Sequence, residues 1–464
     1  MSTNPSRGDT AVPAGLVSAA FATLGVAVAW GFVVDDAWIT ARVAWRLANG
    51  LGYRFNAHGL PVDAVTPLGW VFLLVPFAKS SVAGALLAAR YLGALSWIGA
   101  AGWLGYRLRR DGKNPYFAVP LLAAAPLGAW AGSGMETGFL LALCTLALGD
   151  SVCAALAAGV AGALRPELVP FCLVLSLRPL IAKRTMYPRV LPIALSAGLP
   201  LAVAIVRQAC FGLAIPLAAV AKPPELFHGA RYALGVLLFL GPTWLWVCGG
   251  WKGLSRGDRI IALSVIAHLG AVVAAGGDWM PLWRLAVPVV PASLWVASSL
   301  QARQRRLFRA VGFAVALIVL SLVWYSVGIP GRHVMRARAE LVERARPVLA
   351  GAYQVVALDV GWVGEAFPGE ILDLAGVTDR RVAVLPGGHT SKNVKNSWFD
   401  SVQPDALVLL TAPGEPIRET WTETHFARAV ENRVARMPYW QACRFTHAMA
   451  LKHTQQSYAV IRCP

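Results

Sequence analysis

Charged residues are scarce in this sequence. Only 14% of its 464 residues are Asp, Glu, Lys or Arg, whereas 57% are hydrophobic and the mean hydropathy is +0.56. Soluble globular proteins carry about 25% charged residues. The composition therefore excludes a soluble globular protein and indicates a polytopic membrane protein. Acidic residues are the scarcest, with 24 against 42 basic ones. Because the basic residues form short clusters between apolar runs, as in cytoplasmic loops, we expect membrane lipids as partners and no nucleic acid.

Common catalytic motifs are also absent. The sequence has no Walker loop, no dinucleotide fingerprint and no Ser/His/Asp arrangement. His58, His228, His268 and His389 do not have the spacing of metal ligands, and we expect His268, inside an apolar run, to be a hydrogen-bonded core residue. The sequence therefore indicates no cofactor and leaves a requirement for a divalent cation open.

Cysteine is infrequent, with seven residues in the chain. Two of them, Cys443 and Cys463, stand apart in the polar C-terminal region, where they could form a disulfide if that region is extracytoplasmic. The other five lie in or beside apolar runs and are expected to be buried as small hydrophobic residues: Cys144, Cys153, Cys172, Cys210 and Cys248.

The apolar runs predict about eleven membrane-spanning helices. The run at 68–78 is too short to span and is expected to be a surface helix. The first run is long enough to be a retained helix rather than a cleaved signal. Basic clusters at 107–113, 178–189, 251–259 and 301–306 place the N-terminus in the cytoplasm and the C-terminus outside. The predicted spans are 14–34, 82–106, 116–131, 139–148, 152–164, 168–177, 190–206, 232–248, 260–275, 285–300 and 310–328.

The sequence therefore predicts an α-helical polytopic membrane module, residues 1–330, with a first extracytoplasmic loop at 35–81. Residues 331–464 contain no spanning run and predict a soluble extracytoplasmic α/β domain. Its expected strands are 353–359, 405–410 and 457–462, and its expected helices are 332–349 and 422–437.

Acidic residues concentrate at the ends of the predicted spans on the external side. The first are Asp35 and Asp36, directly after the first span, where an unpaired carboxylate is costly and suggests a function. Guanidinium groups beside them would suit an anionic lipid-linked substrate. A purely structural interpretation stays open. In it, the carboxylates cap helix ends, and Arg165 pairs with Glu167 without taking part in a site. The other residues of the pattern are Glu136, Asp278 and Arg284.

Seven short motifs follow one another along most of the chain. They are Asp35-Asp36-Ala37-Trp38-Ile39, Gly50-Leu51-Gly52-Tyr53-Arg54-Phe55-Asn56, Val65-Thr66-Pro67-Leu68-Gly69-Trp70, Gly134-Met135-Glu136-Thr137, Arg165-Pro166-Glu167, Gly277-Asp278-Trp279-Met280 and, in the tail, Leu372-Asp373-Leu374-Ala375-Gly376-Val377-Thr378-Asp379. Their order resembles the arabinofuranosyltransferase-like branch of the GT-C glycosyltransferases. One segment departs from the pattern expected for that family, since residues 63–67 read Asp-Ala-Val-Thr-Pro.

The resemblance implies a GT-C fold in the bacterial cytoplasmic membrane with a periplasmic tail. It implies transfer of a sugar from a polyprenyl-phosphate donor to a glycan, lipid or protein acceptor outside that membrane. Asp35 or Asp36 is then the candidate base that takes the proton of the acceptor hydroxyl. Arg284 and Arg165, followed by Arg54 and Lys222, are the candidates to hold the phosphate. The full set of expected substrate-binding residues is Arg54, His58, Glu136, Arg165, Glu167, Lys222, Asp278, Trp279 and Arg284.

Two other classes of function fit a chain of this composition. A transporter or flippase of a lipid-linked sugar also gathers charged residues near helix ends, but it usually shows internal repeats, which are not evident here. A non-catalytic assembly partner would use the tail to bind glycan. A transfer assay separates both from an enzyme.

Overall fold

The computed structural model of the chain describes residues 10–58, 61–115, 122–181, 190–300, 306–451 and 454–463. Most of them are helical. Three predicted segments fall partly outside the described residues: the start of the span at 116–131, and most of the basic clusters at 178–189 and 301–306.

Within the described residues, five helices are long and apolar enough to cross a membrane. They indicate a membrane protein, in agreement with the composition. The predicted number of about eleven spans is not confirmed, because several predicted runs form shorter helices. The five helices are Ala11–Val28, Val82–Arg110, Leu191–Phe211, Arg256–Ala274 and Val311–Leu349.

The last of these five is not a uniform α-helix. A π-helical turn at Trp324–Gly328 follows the helix Arg306–Val323, and a short turn, Ile329–Gly331, precedes the polar helix Val334–Leu349. The remaining helices of eight residues or more are Asp35–Ala48, Leu68–Ala78, Thr137–Leu146, Val152–Leu164, Leu226–Gly250 and Val290–Leu300. Shorter helices lie at Ala125–Gly128, Val169–Leu175, Arg178–Ile181, Leu217–Ala221, Val360–Ala366, Arg380–Ala383, Asn396–Val402, Ala429–Ala435 and Pro438–Gln441.

The chain forms two compact units. The first consists of Met1–Val33, Ala89–Val203 and Pro224–Arg332. The second joins the C-terminal tail, His333–Pro464, to two earlier segments, Val34–Ala88 and Ala204–Pro223. The helix at Leu68–Ala78, predicted to be short, has eleven residues and belongs to the second unit.

The tail contains a five-stranded sheet in the order β2-β1-β3-β5-β4. The strands β1, β2 and β3 are parallel, whereas β5 is antiparallel to β3 and to β4. The strands β1 and β3 are buried at every residue, which explains why all their residues except Gln354 are apolar. The strand bounds are Gln354–Ala357, Glu370–Asp373, Ala406–Leu410, Arg444–Leu451 and Gln456–Arg462.

The three predicted strands of the tail are present as β1, β3 and β5. The prediction of a single helix over 422–437 is wrong. A 3₁₀ turn at Trp421–Glu423 and a helix at Ala429–Ala435 replace it, because Phe426 lies between them in extended backbone paired with Thr411. Phe426 is buried there and joins the core of the tail.

Cys443 and Cys463 form a disulfide. It joins the residue before β4 to the residue after β5, at the edge of the sheet. The sequence left open whether these two cysteines are bonded, and the structure shows that they are.

Candidate functional site

Asp35 is held by the tail. The helix Asp35–Ala48 begins at this residue, after Val34 in extended backbone. The Gly361 N–H donates to Asp35 Oδ2 at 2.7 Å, and the Trp362 N–H donates to Oδ1 at 3.0 Å. These N–H groups belong to the first turn of the helix Val360–Ala366, where backbone donors lack partners in the helix itself. The half-buried carboxylate of Asp35 is thus fixed in orientation by two hydrogen bonds.

A network of charged and polar side chains from the tail adjoins this helix turn. Asp359, the residue before the helix Val360–Ala366, accepts hydrogen bonds from Arg428 Nη2 at 2.8 Å to both carboxylate oxygens. Tyr458 donates its hydroxyl hydrogen to Asp359 Oδ2 at 2.5 Å and accepts from Arg338 Nη1 at 2.8 Å. Asp359 is thereby stabilised as an anion.

The two carboxylates differ in proton affinity. Burial raises the pKa of Asp35 to about 7, and the negative charge of Asp359 adds to the rise. The charge of Arg338 and the two backbone hydrogen bonds oppose it. Burial would raise the pKa of Asp359 as well, but Arg428 and Arg338 outweigh burial and hold that pKa below its usual value. Asp35 is therefore the member of the pair that takes up a proton near neutral pH.

Asp36 lies next to Asp35 in the first turn of the same helix and is also half-buried. Successive residues of a helix point about 100° apart, so the two carboxylates face different surroundings. Since Asp35 alone receives the N–H groups of Gly361 and Trp362, the structure separates two residues that the sequence could not distinguish.

Arg42 lies on the same helix as Asp35 and holds the C-terminal end of the helix Val360–Ala366. Its buried guanidinium donates to the carbonyl oxygens of Gly364, Phe367 and Gly369, the last two at 2.8 Å. It also donates to Phe55 O at 3.0 Å and lies over the Phe55 ring. Asp35 and Arg42 together bind the two ends of one tail helix, each with the charge that the helix end favours.

The other expected residues of the second unit have varied surroundings. Arg54 is half-buried, and its Nη1 donates to Ala57 O at 3.4 Å. His58 is exposed and contributes its backbone N–H to Glu370 Oε1 at 2.9 Å. Lys222 is half-buried after the helix Leu217–Ala221. The hydrogen bonds described for Asp35 go to the tail and not to these three side chains.

Asp63, in the segment that departs from the family pattern, forms a buried ion pair with Arg207 at 2.8 Å. Arg207 also donates to Thr66 O. Burial raises the pKa of Asp63 to about 6, while Arg207 opposes the rise. The departure in sequence therefore corresponds to a structural pair that ties the first loop to the helix Leu191–Phe211.

The first unit brings Glu136, Arg165 and Glu167 together. Arg165 Nε donates to Glu136 Oε1 at 2.6 Å, and Arg165 Nη2 contacts the same oxygen. Arg165 Nη1 lies 3.4 Å from Glu167 Oε1. The simple pairing of Arg165 with Glu167 is thus present, but Glu136, 29 residues earlier, is the closer partner.

Asp278 and Arg284 form a second pair in this unit, with Arg284 Nε donating to Asp278 Oδ2 at 2.8 Å. Two left-handed residues between them, Leu282 and Trp283, turn the chain so that Arg284 faces back towards Asp278. Trp279 is 56% exposed and stacks on His228 with ring centroids 4.2 Å apart.

A narrow cleft joins the two clusters of the first unit, with free space of about 10 Å³, enough for a single group the size of a water molecule or a hydroxyl. Its polar lining consists of Glu136, Thr137, Arg165, Glu167 and Arg284. Four of these five were expected from the sequence, and Thr137 was not. Three carboxylates, those of Glu136, Glu167 and Asp278, outnumber the two guanidinium groups of this region, so the cleft is not a purely cationic phosphate site.

His268 lies beside this region and is fully buried. Its ring nitrogens lie 2.9 Å from Glu167 O and 2.8 Å from Leu285 O, so the expectation of a hydrogen-bonded core histidine is confirmed. Over the described residues, no group of three or more His, Cys, Asp and Glu side chains has the geometry to hold a metal ion.

Comparison with known proteins finds one informative relative. A terminal beta-(1->2)-arabinofuranosyltransferase of Mycobacterium tuberculosis is 30% identical over 260 residues, an alignment that covers 48% of this chain and 41% of the relative. The chain thus spans about two fifths of the length of the curated relative it matches. No family model matches the chain.

Proposed function

We propose that this chain is a glycosyltransferase of the bacterial cytoplasmic membrane, of the GT-C type. It transfers a sugar, with arabinofuranose as the first candidate, from a polyprenyl-phosphate donor to a glycan, lipid or protein acceptor outside the membrane. The observation that carries the proposal is the 30% identity to an arabinofuranosyltransferase. The motif order and the apolar helices support the same assignment.

The chemistry needs a base for the acceptor. The acceptor hydroxyl oxygen attacks the anomeric carbon of the donor, and the bond from that carbon to the phosphate oxygen breaks. The bonding electron pair leaves with the polyprenyl phosphate, and the hydroxyl proton passes to a carboxylate. A base is most effective when its pKa lies near the working pH.

Asp35 meets this requirement better than any other candidate of the second unit. Its pKa of about 7 matches a general base at neutral pH, and two backbone N–H groups fix its orientation. Each carboxylate oxygen has a second lone pair, so these hydrogen bonds leave acceptor capacity for the proton of a substrate. Asp36 is the alternative base.

Roles for the remaining residues follow from their charge. We assign Arg284 to the phosphate of the donor, because a guanidinium stabilises the charge that develops on a leaving phosphate. Arg165, held by two carboxylates, is assigned to positioning Glu136 rather than to direct phosphate binding. Arg54, His58, Lys222 and Trp279 stay candidates for contacts with donor or acceptor.

The test is reconstitution of the purified protein in lipid vesicles with polyprenyl-phosphoryl arabinofuranose and a short arabinofuranosyl oligosaccharide. We expect a product one sugar longer, detected by mass spectrometry. Movement of the labelled donor across the bilayer without a longer product would replace the proposal with a flippase. Binding of the oligosaccharide without either activity would indicate a non-catalytic assembly partner.

A further inference from the structure

Two polar groups in the cleft of the first unit have no hydrogen-bond partner among the described residues. They are Glu136 Oε2 and Thr137 Oγ1, and both side chains are 1% exposed. Buried polar groups in proteins are nearly always hydrogen-bonded, so two adjacent exceptions need an explanation. Because both residues line the same cleft, a group that enters the cleft would satisfy them.

The local backbone explains why the Thr137 hydroxyl is available. Thr137 is the first residue of the helix Thr137–Leu146, so no helical carbonyl lies four residues before it. A threonine further along the same helix behaves differently, since Thr145 donates to Leu141 O at 2.5 Å. The hydroxyl of Thr137 is therefore not taken up by its own helix.

The orientation of Glu136 is set by Arg165. Arg165 Nε and Nη2 both contact Oε1, and Arg165 is itself held by Glu167. With one oxygen fixed by a charge-assisted pair, the carboxylate cannot rotate freely to offer Oε2 elsewhere. Oε2 is thus a preformed acceptor in the cleft that Thr137 also lines.

The chemistry of this pair selects a neutral hydroxyl group. A carboxylate oxygen accepts a hydrogen bond but repels phosphate, whereas a threonine hydroxyl both donates and accepts. A sugar hydroxyl can therefore donate to Glu136 Oε2 and accept from Thr137 Oγ1 at the same time. Leu140, Leu285 and Pro288 form the apolar part of the lining, and the free space between them and the polar groups suits one hydroxyl rather than a whole sugar ring.

We propose that Glu136 and Thr137 form a subsite that binds one hydroxyl group of the donor sugar. Arg284 lines the same cleft, so a guanidinium is available to a phosphate attached to that sugar. The subsite deepens the proposed function and rests on it. It makes Thr137, which no motif singled out for a role, a determinant of which sugar is accepted.

The test compares Thr137→Val, which removes the hydroxyl and keeps the shape, with Thr137→Ser, which keeps the hydroxyl. The probes are polyprenyl-phosphoryl arabinofuranose and its monodeoxy analogues. We expect the valine variant to bind the full donor about tenfold more weakly, as loss of one buried hydrogen bond predicts. The serine variant should bind within about twofold of the wild type, since it keeps that hydrogen bond. One monodeoxy donor should bind equally to wild type and valine variant, because the group that meets Thr137 is missing from it.

Two readouts separate failure of the subsite from failure of the proposed function. Donor affinity is measured directly by quenching of tryptophan fluorescence, and transfer is measured as KM and kcat on the same preparations. Equal affinity of wild type and valine variant for every donor would overturn the subsite and leave a buried water as the occupant of the cleft. Absence of transfer by the wild type, with the hydroxyl-dependent affinity intact, would overturn the enzyme and retain the sugar subsite.

Discussion

Replacing Asp359 with asparagine should move the pH dependence of catalysis while leaving the base in place. The substitution keeps the shape of the side chain and one acceptor oxygen for Arg428 or Tyr458. It removes the negative charge that raises the pKa of Asp35. Since the charge of Arg338 remains, Asp35 should give up its proton at a lower pH.

The size of the shift can be worked out from the geometry. Asp359 lies two residues before Gly361, whose N–H binds Asp35, so the two carboxylates are separated by about 7 Å on backbone dimensions. At an effective dielectric constant of about 20, two unit charges at that distance interact by about 2.4 kcal/mol. That energy corresponds to about 1.7 pH units. Because Arg428 and Arg338 offset part of the charge, we expect a shift of about one unit.

The assay is kcat/KM for sugar transfer as a function of pH. The active form of Asp35 is the carboxylate, so activity rises with pH through its pKa and then levels off. In the wild type the midpoint of the rise should lie at about 7. In the Asp359→Asn variant the rise should begin earlier, with its midpoint about one unit lower. The variant therefore gains relative activity at acidic pH.

A matched control, Asp405, is available elsewhere in the tail. Asp405 accepts hydrogen bonds from the backbone N–H groups of Tyr353 and Gln354 and pairs with Arg462. It is not among the groups that shift the pKa of Asp35. Asp405→Asn should leave the midpoint unchanged. An unchanged midpoint of the pH profile in Asp359→Asn, or an equal shift in both variants, would contradict the effect of the Asp359 charge on the pKa of Asp35.

Two further predictions concern stability. Cys443→Ser removes the disulfide between residues 20 positions apart. It should lower the free energy of unfolding of the tail by about 3 kcal/mol, measured by chemical denaturation under non-reducing conditions. An unchanged denaturation midpoint would contradict it. Gly361→Ala places a Cβ against the main-chain oxygen of Asp35 and should lower the melting temperature, whereas Gly99→Ala, with open space around it, should not. Equal melting temperatures for the two alanine variants would refute the close packing at Gly361.

Composition alone predicts a good part of the fold. The apolar runs predicted a membrane protein, and the apolar strands of the tail predicted β1, β3 and β5, because strands with both faces largely buried are rich in hydrophobic residues. The strand β4 escaped prediction since most of its residues are exposed at the edge of the sheet. The strand β2 has only four residues, too few to show a period.

The candidate site depends on contacts between residues distant in sequence, which the sequence alone did not predict. The pair of Arg165 with Glu167 is local and visible in the sequence, whereas the stronger pair with Glu136 depends on tertiary packing. The contact of Asp35 with Gly361 joins residues 326 positions apart, and no pattern along the chain announces it. Thr137 belongs to the motif Gly134-Met135-Glu136-Thr137, but nothing in the sequence assigned it a role of its own.

Asp35 and Asp36 also differ through tertiary contacts and not through their local sequence. Adjacent identical residues have the same local sequence, so only their partners distinguish them. The tail supplies those partners to Asp35 in the form of two backbone N–H groups and the charges of Asp359 and Arg338. The tail is therefore expected to act in catalysis through Asp35.

The most direct measurement of this account is the rate of sugar transfer from polyprenyl-phosphoryl arabinofuranose by Asp35→Asn and Asp36→Asn, side by side with the wild type. Loss of a general base costs about 10²- to 10⁴-fold, so Asp35→Asn should lose activity by that factor at saturating donor. Asp36→Asn should stay within about tenfold of the wild type, because the base remains in place. Transfer by Asp35→Asn at the wild-type rate, or a selective loss in Asp36→Asn, would contradict the assignment of Asp35 as the base.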